Sequence, residues 1–316
     1  MSNRHRKNEK TAAGDSPASP ALETLVADLL RHHHGQINTV LYYGSCLRSN
    51  DPFSGIVDLY LITDSYRAFY RDRARAFLNR MLPPNVFYRE IRDGESLIRT
   101  KYSVLTTADL VSGLSGKRMH SYFWARFSQP IKILWCRDEE TRAGIDRCLN
   151  QAVKTFLERV LPTAPACGTL RELWEQGFGL TYSAELRSEG PGRAGELVDY
   201  ALDHFVAAST RVAQELHFPF NISGTGDSAV YSAVIPSSRR LIGRSGWLIR
   251  RIYGKFISIA RLIKALFTFE GGLDYAVWKL TRHSGQMIEI PDHVRRHPLI
   301  YVWPLLWKLY RRGVIR

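Results

Sequence analysis

Three things are scarce in this sequence. Only four cysteines occur in 316 residues: Cys46, Cys136, Cys148 and Cys167. None forms a Cys-x-x-Cys pair and no histidine stands near them at ligand spacing, which excludes a zinc ribbon or finger and argues against a disulfide framework. A reducing cytoplasm is the compartment this implies. Long apolar runs are missing too. The longest, Leu299 to Tyr310, is broken by Pro304 and ends among Lys308, Arg311 and Arg312, so nothing approaches the roughly 20 apolar residues of a membrane span. Acids are in deficit: 30 Asp and Glu face 44 Lys and Arg, a net charge of +14. Such a surface attracts polyanions, whether nucleic acid, anionic lipid or nucleotide phosphates, and charge alone does not choose among them.

What is present is enough apolar residue, 45%, for one large core or two ordinary ones. Residues 1–20 carry charge with Ser, Pro and Ala and no apolar centre, which predicts a disordered tail and no secretory signal. Residues 21–34 have helical spacing and run into His32 to His34, an exposed helix end before Gly35. β-rich runs follow at Ile37–Tyr43, Ile56–Thr63, Val86–Ile91, Tyr102–Thr106 and Ile131–Trp135, with helical stretches at 66–81, 107–116 and 117–128. From about residue 137 the pattern turns helical, over 139–161, 169–177 and 194–216. The expected class is α/β: a small mixed sheet flanked by helices, then a mostly helical second part. The corresponding divisions are a sheet domain over 21–137, a helical domain over 138–236 and a basic amphipathic region over 237–316.

One constellation carries chemistry. A strand ends in Tyr43-Gly44-Ser45, a loop with Asn50-Asp51-Pro52 follows, and the next strand presents Asp58 within Ile56-Val57-Asp58-Leu59. A small Gly-Ser turn lets backbone N–H groups approach triphosphate oxygens, and the Ser hydroxyl adds a donor. A carboxylate on the adjoining strand can hold Mg²⁺ against those phosphates, and the metal then stabilises displacement at phosphorus. Asp58 sits on an apolar strand, where an acid is costly unless a metal or cation pairs it.

This arrangement resembles the polymerase-β-type nucleotidyltransferases, whose signature is Gly-Ser, a loop, then two acids at i and i+2. Here i+2 from Asp58 is Tyr60. A longer resemblance is to the mitochondrial-type phosphatidate cytidylyltransferases, the translocator-maintenance family. Those proteins also lack the i+2 acid after Tyr-Gly-Ser and a hydrophobic-Asp strand. Further segments match that family in order: Leu82-Pro83-Pro84-Asn85-Val86-Phe87-Tyr88, Lys101-Tyr102-Ser103-Val104, Ala125-Arg126-Phe127 with Gln129-Pro130-Ile131-Lys132, and Leu180-Thr181-Tyr182-Ser183-Ala184-Glu185-Leu186-Arg187. The match covers about residues 38–190. Ser103 stands where the family has Gly, Ala125-Arg126 lacks the intervening Gly, and Ala184-Glu185 replaces Gly-Asp.

The resemblance implies a reaction in which CTP and phosphatidic acid give CDP-diacylglycerol and pyrophosphate, with Mg²⁺ as cofactor. It assigns Tyr43, Gly44, Ser45 and Lys132 to the nucleotide, Asp58 to the metal, and Lys101 and Arg126 to the transferring phosphates. Asp64, at i+6 on the same strand parity, and Glu185 are open alternatives for a second metal ligand, and Asp64 can equally cap the helix after it. Arg187 is the candidate clamp for the acceptor phosphate. Two rivals stay open: a nucleotidyltransferase with another acceptor, such as RNA, a protein or a small molecule, and an inactive domain that binds nucleotide or membrane.

The C-terminal region adds a partner. Leu248, Ile252, Phe256, Ile259 and Ile263 follow helical spacing, with Arg250, Arg261 and Lys264 on the other side, Arg251 and Lys255 at the flanks, and Trp247 at the start. A basic amphipathic helix of this kind can lie in an anionic membrane interface. The bland alternative is a globular helix with a solvated basic face. Trp303, Trp307 and Tyr310 beside cations repeat the theme. The expected location is peripheral, on the cytoplasmic inner face of a membrane.

Overall fold

The computed structural model describes residues 19–185 and 192–268. Chain order in the first half is α1 (Pro20–His32), β1 (Thr39–Tyr43), α2 (Ser45–Ser49), β2 (Val57–Thr63), α3 (Tyr66–Tyr70), α4 (Arg73–Met81), β3 (Asn85–Asp93), β4 (Ser96–Thr106), α5 (Thr107–Leu114), α6 (Tyr122–Phe127) and β5 (Lys132–Cys136). The second half holds α7 (Glu139–Val160), β6 (Cys167–Thr169), α8 (Leu170–Ser183), α9 (Arg193–Val212), β7 (Phe220–Ser223), β8 (Val230–Ala233) and α10 (Ser237–Thr268). The class is mixed α/β, as the sequence pattern implies. Arg187 lies outside the described residues, as do Trp303, Trp307 and Tyr310 and nearly all of the N-terminal tail.

Five strands form one mixed sheet in the order β3-β4-β2-β1-β5. β2 is central, parallel to β4 and antiparallel to β1. Its run Val57-Asp58-Leu59-Tyr60-Leu61-Ile62-Thr63 is buried on both faces except at Asp58, which is why it lacks apolar–polar alternation. Strand parity then divides the core. Leu41, Tyr43, Tyr60, Ile62 and Leu105 face one way and pack with α5 to α9 around Trp124, Phe156, Trp174 and Phe205. Val40, Tyr42, Leu59, Leu61 and Val104 face the other way and pack on Leu25 and Leu29 of α1 and Phe69 of α3.

Some elements depart from expectation. The helix expected over 66–81 breaks at Arg71, φ 55°, because Asp72 accepts from the Ala74 and Arg75 N–H groups and starts α4 afresh. The helix expected over 117–128 shrinks to α6. The second half also contains a small antiparallel sheet, β6-β8-β7, whose Phe220, Tyr231 and Ala233 join the same core as the helices. Strands of three or four residues beside glycine turns give too short a pattern to read.

α10 straps the two halves together. Gly243 lies on Pro162, where a Cβ would meet that ring at 2.6 Å. Trp247 packs on Trp124 and donates to the Arg159 carbonyl at 2.9 Å. Further on, Arg250 donates to the Met119 carbonyl, Arg261 to Pro83, and Lys264 to Leu82 and Pro84. No described helix is long and apolar enough to cross a membrane.

Three half-buried or buried histidines make stability depend on acid. His33 stacks on Phe69, ring centroids 4.2 Å apart, so the histidine run is not simply an exposed end. Burial pushes His33 and His120 down to about 3 and His204 down to about 4, with nearby cations adding to the effect. The folded protein therefore keeps these rings neutral where the unfolded chain protonates them, near pH 6.5. The unfolded state binds more protons below that pH, so stability falls as pH drops from about 6.5 toward the folded values. Each ring contributes roughly 1 kcal/mol of loss per pH unit. The expected result is a melting temperature that falls steadily between pH 6.5 and 4.5, with a shallower slope in His204→Gln. A flat profile would show that the three rings are solvated.

Candidate functional site

The site grows from the register of β1 against β2. Tyr43, the last residue of β1, pairs with Asp58, and Gly44 then bends the chain at φ 93°. A Cβ on Gly44 would stand 2.6 Å from Asp58 Oδ2. The glycine is thus required twice, once for its backbone angle and once for the approach of the carboxylate. Ser45 follows as an exposed residue at the first turn of α2. On the other side, the parallel pairing of β2 with β4 sets Lys101 beside Asp58, and Lys101 Nζ lies 2.8 Å from Asp58 Oδ1. Bend, acid and lysine therefore share one sheet face at one strand end, and the Asp58 side chain keeps 19% of its surface open.

A second group of charges adjoins this one. Arg126 of α6 donates from Nη1 to the Tyr43 hydroxyl at 3.3 Å. Its guanidinium also stands 4.9 Å from the centre of the Tyr122 ring, one helical turn back. Burial opposes charge on Arg126, but the Tyr122, Tyr60 and Tyr43 phenols and Glu185 outweigh it and hold the guanidinium well above its ordinary value. Burial and Asp58 together raise the Tyr43 phenol. Tyr122 behaves oppositely: burial works to raise it, yet Arg126 and Arg261 prevail and hold it below the usual phenol range.

Of the sequence candidates, Tyr43, Gly44, Ser45, Asp58, Lys101 and Arg126 gather at this end of the sheet. Glu185, just past α8, bears electrostatically on Arg126, Arg261 and Tyr122. Two candidates are not brought here. Asp64 has the parity of Asp58 but lies six residues further along an extended chain, roughly 20 Å away. There it accepts from Asn38 Nδ2 at 2.5 Å and pairs with Arg137 at 3.1 Å. It does not cap α3 either, since Ser65 is the N-cap. Lys132 pairs with Tyr42, and a one-residue offset on a strand points a side chain to the opposite face.

Sequence reading missed the roles of Tyr122 and Arg261, and a third network beside Lys101. There Tyr88 donates to Glu90 at 2.7 Å, and Glu90 pairs with Arg99 at 3.3 Å. The alternation of Tyr88 and Glu90 along β3 was a usable signal for the last. Among the described residues no three His, Cys, Asp or Glu side chains converge as a metal cage. Asp58 alone meets the simpler demand of Mg²⁺, which commonly takes one or two carboxylates plus waters and substrate phosphates. Two surface cavities, of about 550 and 480 Å³, lie at the small sheet around Cys167, Glu172 and Tyr231 and include none of these residues.

Gly44→Ala tests the bend. The added methyl meets Asp58 and forces a left-handed angle on a residue with a Cβ, at a cost of about 1–3 kcal/mol. We expect a melting temperature lowered by several degrees. An unchanged melt would mean that the 43–45 turn relaxes freely. Compared with models of known protein families and with curated proteins, the chain matches none.

Proposed function

We propose that this protein is a nucleotidyltransferase, and specifically that it transfers the cytidylyl group of CTP to the phosphate of phosphatidic acid, at a membrane surface. The observation that carries the reading is the convergence of Gly44, Asp58 and Lys101 on one face at the end of β2. A backbone that can approach phosphates, a carboxylate for a divalent ion and a cation for the same phosphates are the parts that displacement at phosphorus needs. The order of matching segments over residues 38–190 supports the cytidylyl and lipid choices.

In the reaction, an oxygen of the acceptor phosphate forms a bond to the α-phosphorus of CTP. The bond from that phosphorus to the α,β-bridging oxygen breaks, and its electron pair leaves with pyrophosphate. The acceptor phosphate is already ionised near neutral pH, so no strong general base is required. Asp58 would hold Mg²⁺, which when bound supplies charge neutralisation at the phosphate oxygens. Lys101 fixes the Asp58 carboxylate and adds a point charge for the triphosphate. Arg126, held by Tyr43, adds a planar fork that can grip phosphate through two N–H groups. The exposed apolar side of α10 supports a peripheral membrane location, described further below.

The test is direct. The full chain, CTP, Mg²⁺ and vesicles containing phosphatidic acid should yield CDP-diacylglycerol and pyrophosphate in equal amounts. Pyrophosphate release that depends on RNA or a protein acceptor would keep the transferase and remove the lipid. No release with any acceptor would leave a binding module.

A further inference from the structure

Two arginines from different parts of the chain face one tyrosine beside the proposed catalytic face. Arg126 comes from α6 and Arg261 from the last third of α10. The Arg126 guanidinium stands 4.9 Å and that of Arg261 4.1 Å from the centre of the Tyr122 ring. Each is fixed through one nitrogen: Arg126 Nη1 donates to Tyr43, and Arg261 Nε donates to the Pro83 carbonyl at 3.1 Å. Each also keeps a buried nitrogen without a hydrogen-bond acceptor, Nε in Arg126 and Nη2 in Arg261. A buried N–H left unsatisfied costs about 1–3 kcal/mol, more for a charged group. Glu185 is a carboxylate already bearing on both guanidiniums, and the two N–H groups still without acceptors beside a single aromatic ring mark a place for a further anion.

We propose that Arg126 and Arg261, spaced by Tyr122, form the subsite for the phosphomonoester of the acceptor, distinct from the nucleotide phosphates held near Gly44 and Lys101. Arg126 and Arg261 hold the Tyr122 phenol below its usual range against the opposing effects of burial and Glu185. A phosphomonoester carries about −1.5 to −2 at pH 7 and offers several acceptor oxygens to two forks, whereas a phosphodiester carries one charge. Placement favours a lipid acceptor. Arg261 turns inward from the same helix whose Ile252, Phe256 and Ile263 point outward, 68%, 66% and 55% exposed. A headgroup entering beneath that helix would reach Arg261 while its acyl chains stayed against the apolar side.

This inference rests on the transferase reading but is testable apart from it. Soluble dihexanoyl phosphatidic acid is titrated into the full chain by calorimetry, with dihexanoyl phosphatidylglycerol as the phosphodiester control. The wild type should prefer the monoester. Arg261→Gln and Arg126→Gln should each weaken monoester binding by about 10- to 100-fold, the loss of one charged hydrogen bond. CTP affinity should stay within about twofold in Arg261→Gln, and Arg261→Lys should recover part of the loss. A melt checks each fold, and Arg261→Lys keeps the test open if the glutamine variant unfolds. Monoester affinity unchanged in folded Arg261→Gln and Arg261→Lys would overturn the subsite. So would an equal loss of CTP affinity. If the wild type binds the monoester through Arg261 yet makes no CDP-lipid, the subsite stands and the transferase reading falls. If CDP-lipid forms and Arg261 is silent, the reverse holds.

Discussion

Asp58→Asn should lower the turnover of CTP by about 10³-fold or more while leaving the protein folded. The substitution keeps shape and removes one negative charge. In the proposed reaction that charge holds the divalent ion, and charge stabilisation at phosphorus is worth several kcal/mol. A loss of about 4 kcal/mol is about three powers of ten in rate. Stability has much less at stake. The Lys101 and Asp58 side chains are only 27% and 19% exposed, but asparagine keeps a side-chain oxygen to which Lys101 can still donate, so the ammonium is not left without an acceptor. The melting temperature should therefore move by only a few degrees. The affinity of CTP in the presence of Mg²⁺ should fall, and its affinity without Mg²⁺ should change little. Lys101→Met should cost less rate than Asp58→Asn, because Asp58 remains to hold the divalent ion. Turnover in Asp58→Asn at the wild-type rate would remove the carboxylate from the mechanism.

The candidate face was legible because strand parity is a strict rule. A run that ends in Gly-Ser and a second run that presents an acid had to bring residues 43 and 58 to neighbouring positions if the two strands paired, and they pair residue for residue. Lys101 comes from the family resemblance instead, since the run that reads as strand begins at Tyr102; β4 starts earlier, at Ser96, and its parallel pairing sets Lys101 beside Asp58. The same rule explains Lys132, which misses the face by one residue, and a bulge between Val40 and Leu41 sets its register. Parity could not place Asp64, because it gives the side of a strand but not the distance along it.

Long-range contacts were the hidden part. Arg261 meets Tyr122 across a separation no periodicity encodes, and the small sheet is built from strands shorter than any pattern window. The seam between the expected divisions also proves to be packed. Sheet residues Leu41 and Tyr60 share a core with Trp174 and Phe205 of the helical half, and α10 crosses both. The site lies along that seam, so its arginines come from elements that local sequence reading treats separately.

Ile252→Glu combined with Phe256→Glu should abolish binding to phosphatidic acid vesicles without unfolding the protein. In an ordinary surface helix the apolar side is buried and the charges are solvated. α10 is arranged the other way. Arg250 and Lys264 are only 6% and 8% exposed, and both give their charge to backbone carbonyls. Burial brings Arg250 down to about 10, and burial with Arg261 brings Lys264 down to about 7. Leu241, Leu248, Ile252, Phe256 and Leu262 face outward, each more than 60% exposed, among exposed Arg244, Arg251 and Lys255. Apolar side chains beside surface cations suit the boundary of an anionic bilayer. Burying one such side chain is worth about 1.5–3 kcal/mol. Two charged replacements should therefore cut vesicle partitioning by about 10²- to 10⁴-fold in a flotation assay. The folded state loses little, because exposed positions typically move stability by less than about 0.5 kcal/mol. Turnover of soluble dihexanoyl phosphatidic acid should persist in the double variant while turnover on vesicles collapses. If the wild type stays off vesicles and instead associates with itself through these residues, the outward side of α10 is an interface between copies of the chain, and the lipid surface is removed from the account.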